Sequence, residues 1–401
     1  MADEKSGAGE RPAIVLLSND LSHPALSKQQ YAFSWRINRL RPLLKRGYTI
    51  VLVVAGGTVG PRGRPRLSSL KPKVRNDGPM VIVSPPVLRL PMLWLLQSML
   101  VTPLTVFLYC RSKNLAVKAV VAASVPYGAV GKMLNRLLKT KLIVDYGDPD
   151  YAREKSFSLR VLHFLESYVL GKGGVDAVTC IDPNICGYVA RYRVKNVAFL
   201  PPGGYWIGSP PPQITEPRAG TKEVIYAGHL APPPAYRLDL LIEAAPLILA
   251  QHPEARIVFL GSGEYSPTLR RRAAELKIAD KVEVLGPVPY EEAKRRIGGA
   301  YVAVQLLNDM CLGTKVLDYF ALGKAVVSCG SFYDSYSQFL KNGENCILIP
   351  PEAEKLAEAI SSLLSDEALR KRLGANALDA VSGYDWDSQA EKLLKLITRP
   401  K

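Results

Sequence analysis

The sequence predicts an α/β protein built from two doubly wound parallel-sheet domains, and three observations lead there. The chain has 401 residues with 48% hydrophobic content, more than one core comfortably holds and enough apolar material for two. Short apolar runs alternate with stretches of helical spacing in both halves, the pattern of parallel strands joined by crossover helices. Between the halves, around residues 200–223, the composition shifts to Pro, Gly and Ser in the manner of a linker.

The elements follow in order. Met1 to Arg11 is polar and Gly-rich, lacks a signal-peptide pattern and is expected to be disordered. Ala13–Ser18 and Tyr48–Val54 read as buried strands flanking a helix within Gln29–Arg46. Val117–Ser124, Lys141–Asp145 and Ala177–Ile181 read as further strands, with helices at Tyr127–Leu138 and Ser158–Leu170. A second series opens at Val224, with strands in Glu223–Leu230, Arg256–Glu264 and Lys281–Glu292. Gly313–Val327 reads as a loop, a short helix ended by Gly323 in a left-handed cap, and a buried strand. Asp385–Ile397 has helical spacing. The expected divisions are an N-terminal domain at 12–205, a linker at 206–220, a C-terminal domain at 221–384 and a tail helix at 385–401.

The formal net charge is +16, and all the excess is N-terminal: residues 1–200 hold 29 Lys and Arg against 12 Asp and Glu, residues 201–401 hold 23 against 24. Such asymmetry points to an anionic partner for the first half alone. Six cysteines without C-x-x-C pairing, accompanied by four histidines, read as reduced thiols and not as a zinc site. The cytoplasm is the expected location.

Candidate site residues cluster where strands should end. Gly313 and Thr314 free backbone N–H groups at a helix N-terminus, Lys315 adds a cation there, and Asp318, three residues on, shares its face; together they suit a nucleotide diphosphate and its ribose. Gly261 and Gly263 make a tight turn with bare backbone, open to a phosphate or a base, or a plain βα turn. Lys141–Asp150 puts Asp145, Asp148 and Asp150 at a strand's carboxyl end. Asp148 is favoured as a catalytic or sugar-binding acid and Asp145 is the second choice, with turn capping before Pro149 as the competing reading. His23 lies in the first loop, facing either a cleft or solvent. No group of acids and histidines suits a required metal.

The string GTKVLDYFALGKAVV at 313–327 resembles the C-terminal signature of the family-4 retaining glycosyltransferases of GT-B fold, and the three strands from Glu223, Arg256 and Lys281 are similar in order to those of that family's nucleotide-binding domain. The resemblance implies two Rossmann-like domains facing across a cleft, with the C-terminal helix crossing back to the first. It implies transfer of a sugar from a nucleotide-diphosphate donor with retention, catalysed by Lys315 and Asp148 without a cofactor or metal. Donor contacts would come from His229, Arg237, Gly261, Gly263, Val288, Gly313, Thr314 and Asp318, with His23 and Asp145 toward the acceptor. His229 stands where the family usually has Arg, and Met310 where it often has an acid. A sugar-nucleotide epimerase of the same fold, or a non-catalytic membrane protein that kept it, remains open.

Six cations (Arg62, Arg64, Arg66, Lys71, Lys73 and Arg75) precede a Leu-rich stretch at Val87–Tyr109 interrupted by Arg89, Pro91, Gln97 and Pro103. A polybasic loop beside apolar surface suits docking on an anionic membrane, with ordinary core helices as the competing reading, and the interruptions argue against spanning. The expected partners are therefore a nucleotide-sugar donor, a lipid-linked acceptor and an anionic membrane surface. Nucleic acid is not expected, since aromatic residues do not interleave with the basic run.

Overall fold

The computed structural model describes residues 10–18, 35–54, 72–77, 80–86, 93–147, 157–171, 173–181, 183–204, 206–207, 222–234, 236–306, 314–329 and 339–400. The chain divides into two compact units, residues 1–202 with 386–401, and residues 203–385.

The first unit runs β1 (Arg11–Leu17), α1 (Trp35–Lys45), β2 (Thr49–Val53), β3 (Lys73–Asp77), β4 (Met80–Ser84), α2 (Leu93–Ser112), β5 (Leu115–Ala123), α3 (Val125–Leu138), β6 (Lys141–Tyr146), α4 (Phe157–Gly171), β7 (Ala177–Cys180), α5 (Pro183–Ala190) and β8 (Val197–Phe199). Its sheet has the order β3-β4-β2-β1-β5-β6-β7-β8, parallel except for β3 against β4. Ala13 to Leu17 of β1 are wholly buried, as a strand covered on both faces requires.

The second unit runs β9 (Lys222–Ala227), α6 (Leu238–Gln251), β10 (Ala255–Leu260), α7 (Ser266–Glu275), β11 (Val282–Leu285), α8 (Tyr290–Gly299), β12 (Val302–Leu306), α9 (Thr314–Ala321), β13 (Ala325–Cys329), β14 (Ile347–Ile349), α10 (Ala353–Ser365) and α11 (Glu367–Ala380). The sheet order is β11-β10-β9-β12-β13-β14, all parallel. Gly323 stops α9 at φ +61°, where a side chain would be strained.

The last helix, α12 (Trp386–Thr398), belongs to the first unit. Its buried positions Gln389, Ala390, Leu393 and Ile397 follow helical spacing. Ala390, Leu393 and Ile397 join the cluster of Ile14, Leu16, Ile37 and Leu40. Lys141 donates to the backbone carbonyls of Leu396 and Arg399, and Arg46 pairs with Glu391.

Among the described residues no helix is long and apolar enough to cross a membrane. Helix α2 is nevertheless inverted. Leu100, Leu104 and Leu108, four apart on one face, are each more than half exposed, while Ser98 and Thr102 are buried. The hydroxyls of Ser98 and Thr102 make no hydrogen bond within the described residues.

Candidate functional site

In the second unit the chain steps from β9 to β10 to β11 on one side, then returns to lay β12 on the other side of β9. The strand order therefore reverses between β9 and β12, and the carboxyl ends of the strands at such a switch point are the usual ligand position in an open α/β sheet. Three glycines shape it. A Cβ on Gly261 (φ +139°) would fall 1.9 Å from the Gly228 carbonyl oxygen, and one on Gly263 would fall 2.1 Å from that of Leu230. The two loops are thus packed backbone to backbone, joined by Gly228 N–H to Leu260 O at 2.8 Å and Leu230 N–H to Ser262 O at 2.9 Å. Gly228 itself (φ +147°) leaves room for a side chain from across the sheet, since a Cβ there would lie 2.4 Å from Lys315 Cε and 2.7 Å from its Nζ.

Lys315, the second residue of α9, extends over the end of β9. Its ammonium donates to the Tyr226 hydroxyl at 2.5 Å and sits 4.3 Å and 4.6 Å from the ring centres of Tyr226 and Tyr236. The Tyr226 hydroxyl in turn donates to the His229 carbonyl at 2.9 Å. Burial alone draws the Lys315 ammonium down to about 7, with no carboxylate contributing. Ring faces and a hydroxyl stabilise a cation weakly compared with a counter-ion. One turn on, the Tyr319 hydroxyl accepts from Ala227 N–H at 2.8 Å, which fixes α9 to the end of β9. Asp318 Oδ1 lies 3.5 Å from where a Cβ on Gly204 would stand.

Residues 212–379 match the family described as glycosyl transferases group 1. An exopolysaccharide phosphotransferase of Streptomyces coelicolor is 30% identical over 171 residues, 41% of this chain and 17% of that one. A phosphatidyl-myo-inositol mannosyltransferase of Mycolicibacterium smegmatis is 28% identical over 183 residues, 45% of each chain. The chain thus spans less than half the length of these curated relatives. Among solved structures, a glycosyltransferase from Rickettsia africae superposes with a TM-score of 0.70 at 15% identity, covering 98% of this chain and 100% of the other. Sucrose-phosphate synthase from Thermosynechococcus elongatus gives 0.67 at 18% identity, covering 96% and 98%. The chain has the GT-B fold.

Within this GT-B chain, the other residues singled out by sequence fall into distinct settings. His229 is exposed; its Nδ1 lies 3.0 Å from the Ser262 carbonyl, which can only accept, so Nδ1 carries the proton. Arg237 precedes α6 and forms a two-point pair with Asp239, Nε to Oδ1 at 3.1 Å and Nη2 to Oδ2 at 2.8 Å. The pair occupies one edge of the guanidinium. Val288 is half-buried in the connection from β11 to α8. Asp145, at the end of β6, is 1% exposed. It accepts from Thr179 Oγ1 at 2.7 Å and pairs with Arg36 at 3.2 Å and Arg39 at 3.3 Å. Arg39 and Thr179 both donate to Oδ1 while Oδ2 faces Arg36, which ties the carboxylate into the first unit. Thr314 opens α9, while His23, Asp148, Met310 and Gly313 lie outside the described residues.

Sequence reasoning passed over Tyr226, Gly228, Tyr236 and Tyr319. Tyr226 and Tyr319 sit in apolar runs and look like core; the signal was Gly228 directly after a strand, where a bare backbone commonly admits a ligand or a neighbouring side chain. Among the described residues no three His, Cys, Asp or Glu lie together as metal ligands would.

Proposed function

We propose that the chain is a nucleotide-sugar-dependent glycosyltransferase of family 4 that moves a sugar to a lipid-linked acceptor with retention. The observation that carries this reading is Lys315, a partly buried lysine at a strand crevice that forms no ion pair among the described residues. When the anomeric C–O bond of the donor breaks, its electron pair passes to the diphosphate. Lys315 and the free N–H groups opening α9 stabilise that growing charge, in place of a metal. Asp318, on the same helix face, holds the ribose. The acceptor oxygen bonds to the anomeric carbon, and its proton goes to a base for which Asp148 is the candidate.

Two further facts support a membrane-held acceptor and an enzyme docked at the cytoplasmic membrane face. Several curated relatives are named as transferases to phosphatidylinositol or its mannosides. Leu137 on α3 and Phe164 on α4 are exposed along with the leucines of α2, α2 packs on α3 and α3 on α4, and exposed Lys73 and Arg75 on β3 belong to the same unit. Exposed apolar side chains and cations on one unit suit an anionic bilayer.

The test is to incubate the full chain with UDP-, GDP- and ADP-sugars, with and without phospholipid vesicles, and to follow glycolipid by mass spectrometry, with and without chelator. Transfer to lipid that survives chelation is expected. Free epimerised sugar formed without lipid would replace this reading with the epimerase.

A further inference from the structure

A cavity of about 410 Å³ opens in the first unit, at the strand-start end of its sheet. Lys141 begins β6, Asp176 precedes β7 and Asn196 precedes β8, so it lies at the opposite end of β6 from Asp145, about 13 Å away along the strand. Its walls are Gly171, the segment Gly173–Asp176, the turn Tyr192–Asn196, and Leu396 of α12 with Arg399 and Pro400 just beyond it. Among the described residues, four cationic side chains line it, Lys141, Arg193, Lys195 and Arg399, against the carboxylate of Asp176.

That carboxylate is already engaged, since its Oδ2 accepts from Leu142 N–H at 2.9 Å. Two cations are fixed in place: Lys141 by the α12 carbonyls, and Arg399 by donating to Asn196 Oδ1 at 3.4 Å. Asn196 is held in turn by donating to the Asp176 carbonyl at 2.8 Å. Arg193 and Lys195 are exposed, and among the described residues neither forms an ion pair. Four cations against one acid among the described residues leave the lining net positive, which selects an anion, and phosphate suits it best. The volume exceeds that of bare phosphate and falls in the range of small-molecule pockets. Leu170, Val175 and Tyr192 supply walls for the remainder of a ligand.

We infer that this cavity is a second ligand site, for a small phosphorylated organic anion, free or as a lipid headgroup, distinct from the crevice around Lys315. Because one wall is the end of α12, an occupant ties that helix to the turn before β8. The site stands independently of the proposed transferase activity.

The experiment is hydrogen exchange on the full chain with glycerol 3-phosphate, and separately with vesicles of phosphatidic acid in phosphatidylcholine; glycerol and pure phosphatidylcholine vesicles are the controls. Slowed exchange at residues 192–196 and 394–399 is expected with one of the phosphorylated probes, and it should persist in Lys315→Ala. Protection by the soluble probe identifies a free metabolite; protection by vesicles alone identifies a headgroup. In Arg193→Gln/Lys195→Gln, calorimetric or vesicle affinity should fall at least about tenfold, or roughly 1.4 kcal/mol, whereas Arg271→Gln on α7 should leave it unchanged. No protection at these segments with either probe, or equal affinity in the double variant, overturns the inference. Loss of sugar transfer in Lys315→Ala with protection intact would separate this site from the crevice.

Discussion

Asp145 and Lys315 are both charged residues near the carboxyl ends of their unit's strands, Asp145 at the end of β6 and Lys315 in the first turn of α9 beside Gly228 at the end of β9. Their surroundings are opposite. Asp145 is enclosed by two guanidinium groups and a hydroxyl, and Arg39, its deepest partner, also donates to the Leu200 and Pro201 carbonyls. Burial lowers the Arg39 pKa, against the pull of Asp145. Lys315 has one hydroxyl and two ring faces. A buried charge with its counter-ions built in is part of the scaffold, whereas one lacking them is held ready for a charge that arrives with a ligand.

The contrast breaks most sharply under mutation. Asp145→Ala leaves two guanidinium groups without their counter-ion and should cost about 3–5 kcal/mol, measured by urea unfolding. A loss near zero would place Asp145 with Lys315 instead. Lys315→Ala should do the reverse, lowering kcat/KM by roughly 10²–10³ while the midpoint of unfolding holds or rises, because a desolvated cation is removed. Gly228→Ala should cost up to about 10² in kcat/KM by displacing the Lys315 side chain, with donor affinity reporting the shift.

A finer test uses protons. With its ammonium drawn down to about 7, Lys315 is largely neutral in the free protein above that pH, and a bound diphosphate restores its charge. Donor binding at pH 8 should therefore take up as much as about one proton, seen by calorimetry in buffers of different ionisation heat, and Lys315→Ala should abolish the uptake. The smallest effect is on stability. Burial also draws Lys324 down to about 8, with Arg370 adding to it. Both folded values lie below the ordinary 10.5, so the penalty is complete below the folded pKa and disappears as pH climbs through the unfolded one. Stability should rise between about pH 7 and pH 10 from these two groups, and a flat profile in Lys315→Met/Lys324→Met would assign the slope to them.

The doubly wound architecture was legible because each unit repeats apolar strands and periodic helices, and the glycine stop at Gly323 is written in a single residue. The crevice was half legible. Lys315 and the Gly261–Gly263 turn were visible as residue types that only a few backbone settings explain. Tyr226 was hidden because a tyrosine within an apolar strand looks the same whether its hydroxyl meets a carbonyl or a lysine. Asp145 and Arg237 read from sequence as available charges, since nothing local announces that Arg36 and Arg39, more than a hundred residues away, or Asp239, two residues on, will claim them. The inverted face of α2 was obscured in the same way, because Leu-rich composition alone does not say which leucines turn outward.

The placement of α12 has a consequence for synthesis. The chain leaves the first unit at Pro202 and rejoins it only at Trp386, so a nascent polypeptide must expose the seat for Ala390, Leu393 and Ile397 throughout translation of the intervening segment. At about 5–20 residues per second, that vulnerable interval lasts roughly ten to forty seconds, during which the first unit's sheet waits for a helix made only after the second unit.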